Sequence, residues 1–289
     1  MKNPLFTGVC TALVTPFIED KINYSMLERL LKRQVDAGIQ AIVIAGTTGE
    51  SPTLSDEEKI SLFRKSKEYV ADQCLIIAGT GSNNTAHSIH LSVAAEKAGA
   101  DALLVVSPYY NKATPEGMIM HYRSICEAVS IPVIIYNVPS RTGLDIPVSV
   151  YEALSSIPNI AGVKEANPDI TKIAKIRYTC GPNFPIWSGN DDQIVPVMAL
   201  GGQGVISVLS NVLPKETATI CNAAKRGDFH TAADLQCSFL PLIDALFSEV
   251  NPIPVKAAMK EIGYDCGTCR LPLCNISEEN LLKLRTCMQ

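Results

Sequence analysis

The chain reads as an α/β protein, a (β/α)8 barrel with a C-terminal helical appendage. Three observations predict this. Eight short β-rich apolar runs recur along the sequence, with starts roughly 20 to 34 residues apart, the length of one βα unit. The runs are apolar at successive positions, as in Ile42-Val43-Ile44 and Leu103-Leu104-Val105-Val106, which suits strands buried on both faces. Eight units within about 225 residues favour a closed barrel over an open doubly wound sheet. No GxGxxG follows the first run, which weakens the dinucleotide-binding alternative.

Taken in order, the runs are Val9–Val14, Ala41–Ala45, Leu75–Ala78, Ala102–Val106, Val133–Tyr136, Ile160–Lys164, Pro185–Trp187 and Gln203–Ser207. Helical patterns lie between them. Tyr24–Ala37 is one. Asp56–Val70 is another, opened by Ser55 with Glu58 three residues on, the spacing of a capping box. Thr85–Lys97 is a third, closed by Gly99. After Asn211 the alternation stops, and Pro214–Lys225, Thr231–Phe247, Pro254–Ile262 and Glu278–Thr286 all read as helices. The first completes a barrel over residues 1–226. The others form a C-terminal helical region over 227–289, with no low-complexity linker before it, so it is expected to pack on the barrel.

Composition narrows the function. Of 289 residues 47% are hydrophobic and 19% charged, which excludes a disordered chain. Net charge is 25 − 29 = −4 and no Lys/Arg-rich run occurs, which argues against binding nucleic acid. The N-terminal MKNPLFTGVC lacks a signal-peptide apolar core, and no apolar run approaches the ~20 residues of a bilayer span, so no membrane partner and a cytoplasmic location are expected. Ten scattered cysteines, among them Cys10, Cys74, Cys126, Cys221 and Cys237 inside apolar patterns, read as reduced, packed thiols. Cys266-x-x-Cys269 with Cys274 is a weak zinc-like spacing without a second pair. His87, His90, His121 and His230 lie in helical patterns without metal-site spacing, and no metal or cofactor is expected.

Catalytic groups of such barrels sit at the C-terminal ends of the strands. Here those ends read Gly46-Thr47-Thr48-Gly49-Glu50, Ser107-Pro108-Tyr109-Tyr110-Asn111, Tyr136 to Gly143, Lys164-Glu165-Ala166-Asn167 and Ser188-Gly189-Asn190-Asp191-Asp192. Lys164 ends an apolar run and would face the barrel mouth. Burial disfavours the ammonium form of a lysine, and a neutral amine attacks a ketone carbon. For a bare strand-end lysine the ordinary reading is an ion pair with Glu165 or Asp191. The surrounding residues reverse it. Tyr136 and Thr47 offer hydroxyls for the proton transfers of an imine mechanism, although Tyr136 alone reads equally as a rim aromatic. Thr47-Thr48-Gly49 offers hydroxyls and N–H groups to a carboxylate, against the plainer reading of a turn. Arg141 offers a planar fork for a second carboxylate, against a surface ion pair. Asp191-Asp192 after the seventh run would repel the phosphate that many barrels hold there.

These five strand-end motifs, in this order and spacing, resemble the dihydrodipicolinate synthase family. The resemblance runs from Phe6 to the C-terminal helices, and it is the set of motifs rather than any one that is specific. It implies a pyruvate-dependent, class I aldolase-like barrel. It further implies that Lys164 is the Schiff-base lysine, that Tyr136 is the central proton carrier, and that Thr47 and Tyr110 complete the relay, Tyr110 in a neighbouring subunit's site. Thr48 looks like the pyruvate-carboxylate ligand, Arg141 like the anchor for L-aspartate 4-semialdehyde, and Gly189 and Ile206 match positions that line the site through their backbone. The implied reaction joins pyruvate to the semialdehyde, and the implied assembly is a homotetramer built from dimers. A sister lyase acting on N-acetylneuraminate or 2-keto-3-deoxy sugar acids shares the lysine and tyrosine, but the resemblance implies that it lacks the Ser140-Arg141-Thr142-Gly143 run. A non-catalytic barrel scaffold is the reading from another class. Lysine-sensitive members carry an effector site whose matching positions here are Ser51, Pro52, Asp56, Lys59, Asn83, His87 and Tyr109. His87 stands where sensitive members have a glutamate, and Lys59 where they have a histidine. Both changes move the site away from binding a cation.

Overall fold

The computed structural model describes residues 3–289. Eight parallel strands close into a barrel: β1 Gly8–Ala12, β2 Ala41–Ile44, β3 Leu75–Gly79, β4 Ala102–Val106, β5 Val133–Asn137, β6 Ile160–Glu165, β7 Ile186–Ser188 and β8 Gly204–Ser207. Each strand pairs with its sequence neighbour, and β8 returns to β1. The first expected strand is cut short at Ala12, because the Val14 N–H turns away from the sheet to the Asn211 side chain at 3.2 Å. The third, fifth, sixth and seventh run one residue past their expected ends.

Closure demands one close backbone approach. Gly204 opens β8 at φ +145°, and a Cβ there would lie 1.9 Å from the Gly8 carbonyl oxygen. Only glycine meets both conditions.

Period-two alternation sorts the strand residues into two cores. Inward side chains, among them Cys10, Val43, Ile77, Leu104, Ile134, Trp187 and Ile206, fill the barrel, with Phe6 stacked on Trp187 at 4.8 Å. Outward side chains such as Ile42, Ile76, Leu103, Ile135 and Val163 pack under the helices. The helices are α1 Tyr24–Asp36, α2 Asp56–Val70, α3 Thr85–Lys97, α4 Pro115–Ala128, α5 Val148–Ser155, α6 Ile170–Cys180, α7 Ile194–Ala199 and α8 Pro214–Lys225. The Ser55/Glu58 capping box is present at the start of α2.

Three further helices follow: α9 Phe229–Leu246, α10 Ile253–Glu261 and α11 Glu278–Cys287. Helix α9 begins two residues before the expected Thr231, because Asp228 caps it by accepting from the Thr231 N–H at 3.1 Å. Among the described residues no helix is long and apolar enough to cross a membrane. No disulfide joins the ten cysteines. Cys10, Cys74, Cys126, Cys221 and Cys266 are buried, but Cys237 and Cys274 are exposed, so the packed-thiol expectation fails for Cys237.

His121 on α4 is buried, with Nδ1 2.9 Å from the Thr85 hydroxyl of α3 and Nε2 without a partner. Burial pushes its pKa down to about 4, below the ordinary 6.5. Protonation therefore favours the unfolded chain, so this contribution is complete above pH 6.5 and is lost as pH falls towards 4. Urea unfolding should show stability dropping by a few kcal/mol over that window, with a shallower drop in His121→Gln. An identical pH profile in the variant would refute the assignment.

Candidate active site

The mouth of the barrel is assembled from strand ends in register. Tyr136 of β5 and Lys164 of β6 are direct cross-strand partners, and both point inward. The Lys164 ammonium lies 4.3 Å from the centre of the Tyr136 ring, and Lys164 is only 5% exposed. Among the described residues Lys164 makes no salt bridge, so the expected alternative of a pair with Glu165 or Asp191 does not form.

The two acids explain why. Glu165 is the next residue on β6 and points outward, into a buried network. Its Oε1 accepts from Asn137 Nδ2 at 2.7 Å and from the Asn167 N–H at 2.8 Å, and its Oε2 accepts from the Tyr151 hydroxyl at 2.9 Å. Asn137 also donates to Asp145 at 2.8 Å and accepts from the Ile146 N–H at 3.1 Å, while Lys172 pairs with Asp145. Burial raises the Glu165 carboxyl above its usual range, opposed by Lys172 and by these donors. Asp191 is not a rim charge. It is buried, and its Oδ2 accepts from the N–H groups of Val208 and Leu209, each at 2.9 Å. Burial raises its pKa too, partly offset by its hydrogen bonds and by the Lys164 charge.

The groups expected to bind carboxylates follow the ends of β2 and β5. The segment Gly46–Glu50 leaves β2 through Ala45 at φ 52° and ends in Glu50 at φ 58°. Gly49 leaves room here, since a Cβ would sit tightly against the Ala45 backbone at 3.1 Å. Thr47 lines the mouth, and Thr48 is buried behind it. Arg141 sits on the one-turn helix Pro139–Thr142 and is exposed. Asn251 ties these parts together: its Nδ2 donates to the Thr48 hydroxyl at 3.0 Å, its carbonyl oxygen accepts from Arg141 at 3.1 Å, and its buried Oδ1 has no partner. Sequence reasoning missed Asn251. The only signal was the Asn-Pro-Ile-Pro run at 251–254, which carries no chemistry by itself. Ile206 is buried inside the barrel and Gly189 lies at the end of β7, its N–H donating to the Glu165 carbonyl at 2.7 Å.

A cavity of about 490 Å³ opens from Thr47, Tyr136 and Arg141 and continues to Ser51, Asp56, Lys59, His87 and Tyr109. Of the expected positions, Thr47, Tyr136 and Arg141 thus share one space with Ser51, Pro52, Asp56, Lys59, His87 and Tyr109, whereas Lys164, Thr48, Gly189, Ile206 and Asn83 are not part of its lining, and Asn83 donates to Asn111 at 3.3 Å. Tyr110 is not brought to the site. It is 88% exposed, at φ 70°, and points to solvent.

The C-terminal helices reach the mouth through a buried ion pair. Lys256 of α10 donates to Glu50 Oε1 at 2.8 Å, and the Arg270 N–H donates to Glu50 Oε2 at 2.8 Å. Both side chains are almost fully buried, and the ammonium also lies 4.5 Å over the Phe17 ring. Cys269 is near Glu50, and burial pushes its thiol up to about 12. Among the described residues no cluster of three or more His, Cys, Asp and Glu is arranged to hold a metal.

Comparison with known proteins gives consistent matches. The model of the Dihydrodipicolinate synthetase family matches residues 5–289. A curated 4-hydroxy-tetrahydrodipicolinate synthase of Caldicellulosiruptor saccharolyticus is 49% identical over 278 residues, 96% of this chain and 94% of that protein. One from Clostridium perfringens (strain SM101 / Type A) is 46% identical over 280 residues, 97% of this chain and 96% of that protein. The crystal structure of dihydrodipicolinate synthase from Aquifex aeolicus superposes with a TM-score of 0.96 at 42% identity, covering 98% of this chain and 97% of that one.

Removing one partner of a buried pair strands the other charge, at a cost of about 3–5 kcal/mol, whereas replacing both with apolar residues is often neutral. Lys256→Met should therefore destabilise by that amount in urea unfolding, and Glu50→Leu/Lys256→Met should recover most of it. Equal losses in the single and double variants would contradict the pairing.

Proposed function

The chain belongs to the dihydrodipicolinate synthetase family, and we propose that Lys164 is the residue through which it condenses pyruvate with L-aspartate 4-semialdehyde to give 4-hydroxy-tetrahydrodipicolinate, a lyase reaction of diaminopimelate and lysine biosynthesis. The observation that carries the assignment is the inward Lys164 packed on Tyr136 and unpaired with any acid, with Tyr136 in turn sharing the mouth cavity with Thr47 and Arg141. The sister lyases and the non-catalytic scaffold are not favoured, since curated relatives sharing nearly half of the residues over almost the whole length are named for the synthase.

The chemistry follows from the groups present. The Lys164 amine attacks the keto carbon of pyruvate, and loss of water leaves an imine. Thr48 and the backbone N–H groups beside it hold the pyruvate carboxylate. A proton leaves the methyl carbon, giving an enamine whose carbon attacks the aldehyde of the semialdehyde, and the new alkoxide takes up a proton. Tyr136 carries these protons, with Thr47 beside it. Arg141 holds the second carboxylate through its fork, pre-set by the Asn251 carbonyl. The amine of the semialdehyde then attacks the imine carbon, closes the ring and releases Lys164. Gly189 and Ile206 shape the wall. No step calls for a metal or cofactor.

Tyr110 joins the relay only if it enters the mouth of a neighbouring copy. Its exposure supports a homo-oligomer, a homotetramer of paired dimers in this reading. A cytoplasmic location goes with the biosynthetic role. The effector positions are read as responding weakly to L-lysine. Both oxygens of Asp56 already face His87 Nε2, at 3.0 and 2.9 Å, and Lys59 adds a positive charge. At ~4 Å its repulsion of a cationic ligand is on the order of 1–4 kcal/mol.

Pyruvate with sodium borohydride should add a reduced pyruvyl group to the peptide containing Lys164, and mass spectrometry finding it elsewhere would reject the mechanism. Tyr136→Phe should lose about 10²-fold or more in turnover, while Arg141→Ala should chiefly raise KM for the semialdehyde. Initial rates should show no half-inhibition below about 1 mM lysine, the concentration equivalent to roughly −4 kcal/mol of binding.

A further inference from the structure

One residue from outside the eightfold repeat touches both expected carboxylate anchors. Asn251 lies two residues before α10 and is buried. Its side-chain Nδ2 donates to the Thr48 hydroxyl at 3.0 Å, and its backbone carbonyl accepts from Arg141 Nη2 at 3.1 Å. The backbone contact would survive any replacement of the side chain. The side-chain contact is specific to an amide, and it fixes the direction of a proton.

A threonine hydroxyl has one proton to give and two lone pairs to receive, whereas an amide NH2 only donates. Thr48 Oγ therefore accepts from Asn251, and its own proton is not spent on that bond. Among the described residues the Thr48 hydroxyl makes no other hydrogen bond. Thr48 is 3% exposed, so its proton has little bulk water to turn to. A carboxylate only accepts, which makes it the complementary partner for that proton. A donor already seated on the hydroxyl oxygen also polarises the O–H bond and strengthens it as a donor. Turning the Asn251 amide over would spend the Thr48 proton on Oδ1. The arrangement present keeps the proton available and leaves Oδ1 buried without a partner instead.

We propose that Asn251 is a positioning residue for the condensation: its amide holds the Thr48 hydroxyl as a donor towards the pyruvate carboxylate. The proposal rests on the reading of Thr48 as the pyruvate ligand, and it gives the Asn251 side chain no contact with either substrate. It acts through Thr48 alone.

Steady-state rates of the whole protein, varied in each substrate, test this. Asn251→Ala removes the amide and keeps the main-chain carbonyl that holds Arg141. Its KM for pyruvate should rise about tenfold, the size of one hydrogen bond to a charged group. Its kcat should fall by less than about threefold and its KM for the semialdehyde should move by less than about twofold, the split expected when only pyruvate binding is touched. Asn251→Asp should raise KM for pyruvate further, because its carboxylate takes the Thr48 proton for itself. In a Thr48→Val background, Asn251→Ala should add less than about twofold, since no hydroxyl remains to orient. Circular dichroism reports whether each variant folds, and the isosteric Asn251→Asp carries the comparison if Asn251→Ala does not. Parallel rises in both KM values, or a full additive effect in the Thr48→Val background, would overturn the proposal. An unchanged KM for pyruvate in Thr48→Val would reject the reading of Thr48 itself. A raised KM there with an unchanged one in Asn251→Ala would reject only the role of Asn251. Borohydride trapping of pyruvate on the unaltered protein reports separately on Lys164, so failure of the catalytic reading and failure of this one are distinguishable.

Discussion

The cross-strand register between β5 and β6 is the constraint from which the rest of the mouth follows. Parallel pairing sets Tyr136 against Lys164 and Asn137 against Glu165. Since successive side chains alternate, one pair must face the barrel interior and the other the helical layer. The inward pair faces the mouth with no hydrogen bond to its hydroxyl or amine among the described residues. The outward pair is hydrogen-bonded to itself and to Asp145, Asn167 and Tyr151. A slip of one residue would exchange the pairs, burying Lys164 under helices and opening Glu165 to the mouth. The polar network outside the barrel thus fixes the Tyr136/Lys164 pair inside it, and Asn137 also holds the Ile146 backbone and the Asp145 side chain that follow the Arg141 turn.

The C-terminal helices apply the same logic from the other side. The Gly46–Glu50 segment is irregular backbone, with left-handed residues at Ala45 and Glu50, each costing of order 1–3 kcal/mol. Such a segment persists only when its surroundings over-determine it. Lys256 and the Arg270 N–H take both carboxylate oxygens of Glu50, Asn251 takes the Thr48 hydroxyl, and the Thr15 hydroxyl donates to the Gly49 carbonyl at 2.7 Å. A region that lies outside the eightfold repeat therefore acts as the clamp for the threonine loop.

Much of this was legible in the sequence, and the parts that were not share a cause. Period and composition gave the eight strands, the helices with strong caps such as α2 and α3, and the rim position of Lys164, Tyr136, Thr47 and Arg141. These are local signals, carried by a strand end or a turn. The Cys237 assignment failed because an apolar helical pattern does not say which helix lacks a covering neighbour. The pairing of Lys164 with Glu165 or Asp191 was open in the sequence because charge adjacency is visible there and side-chain direction is not. Asp191 turned inward to two backbone N–H groups from the turn after β8, and Asn251 came from far along the chain to bridge Thr48 and Arg141. Contacts made by folding distant segments together leave no local pattern.

Tyr110 carries the argument past the single chain. A bulky aromatic at φ 70° is strained, and here its side chain is almost wholly in solvent, so the ring itself packs on little of its own chain. Lys112, two residues on, is also left-handed at φ 51°, while Asn111 between them is tied to the Asn83 carbonyl at 2.7 Å. The turn is therefore built, and it presents the ring outward. In the proposed relay two of the three hydroxyls, Tyr136 and Thr47, come from the chain's own mouth. A strained turn that offers a phenol to solvent fits the proposal that the phenol serves the mouth of another copy. The energy stored in the turn would then be repaid by contact between subunits, and assembly would complete the relay as well as bury surface.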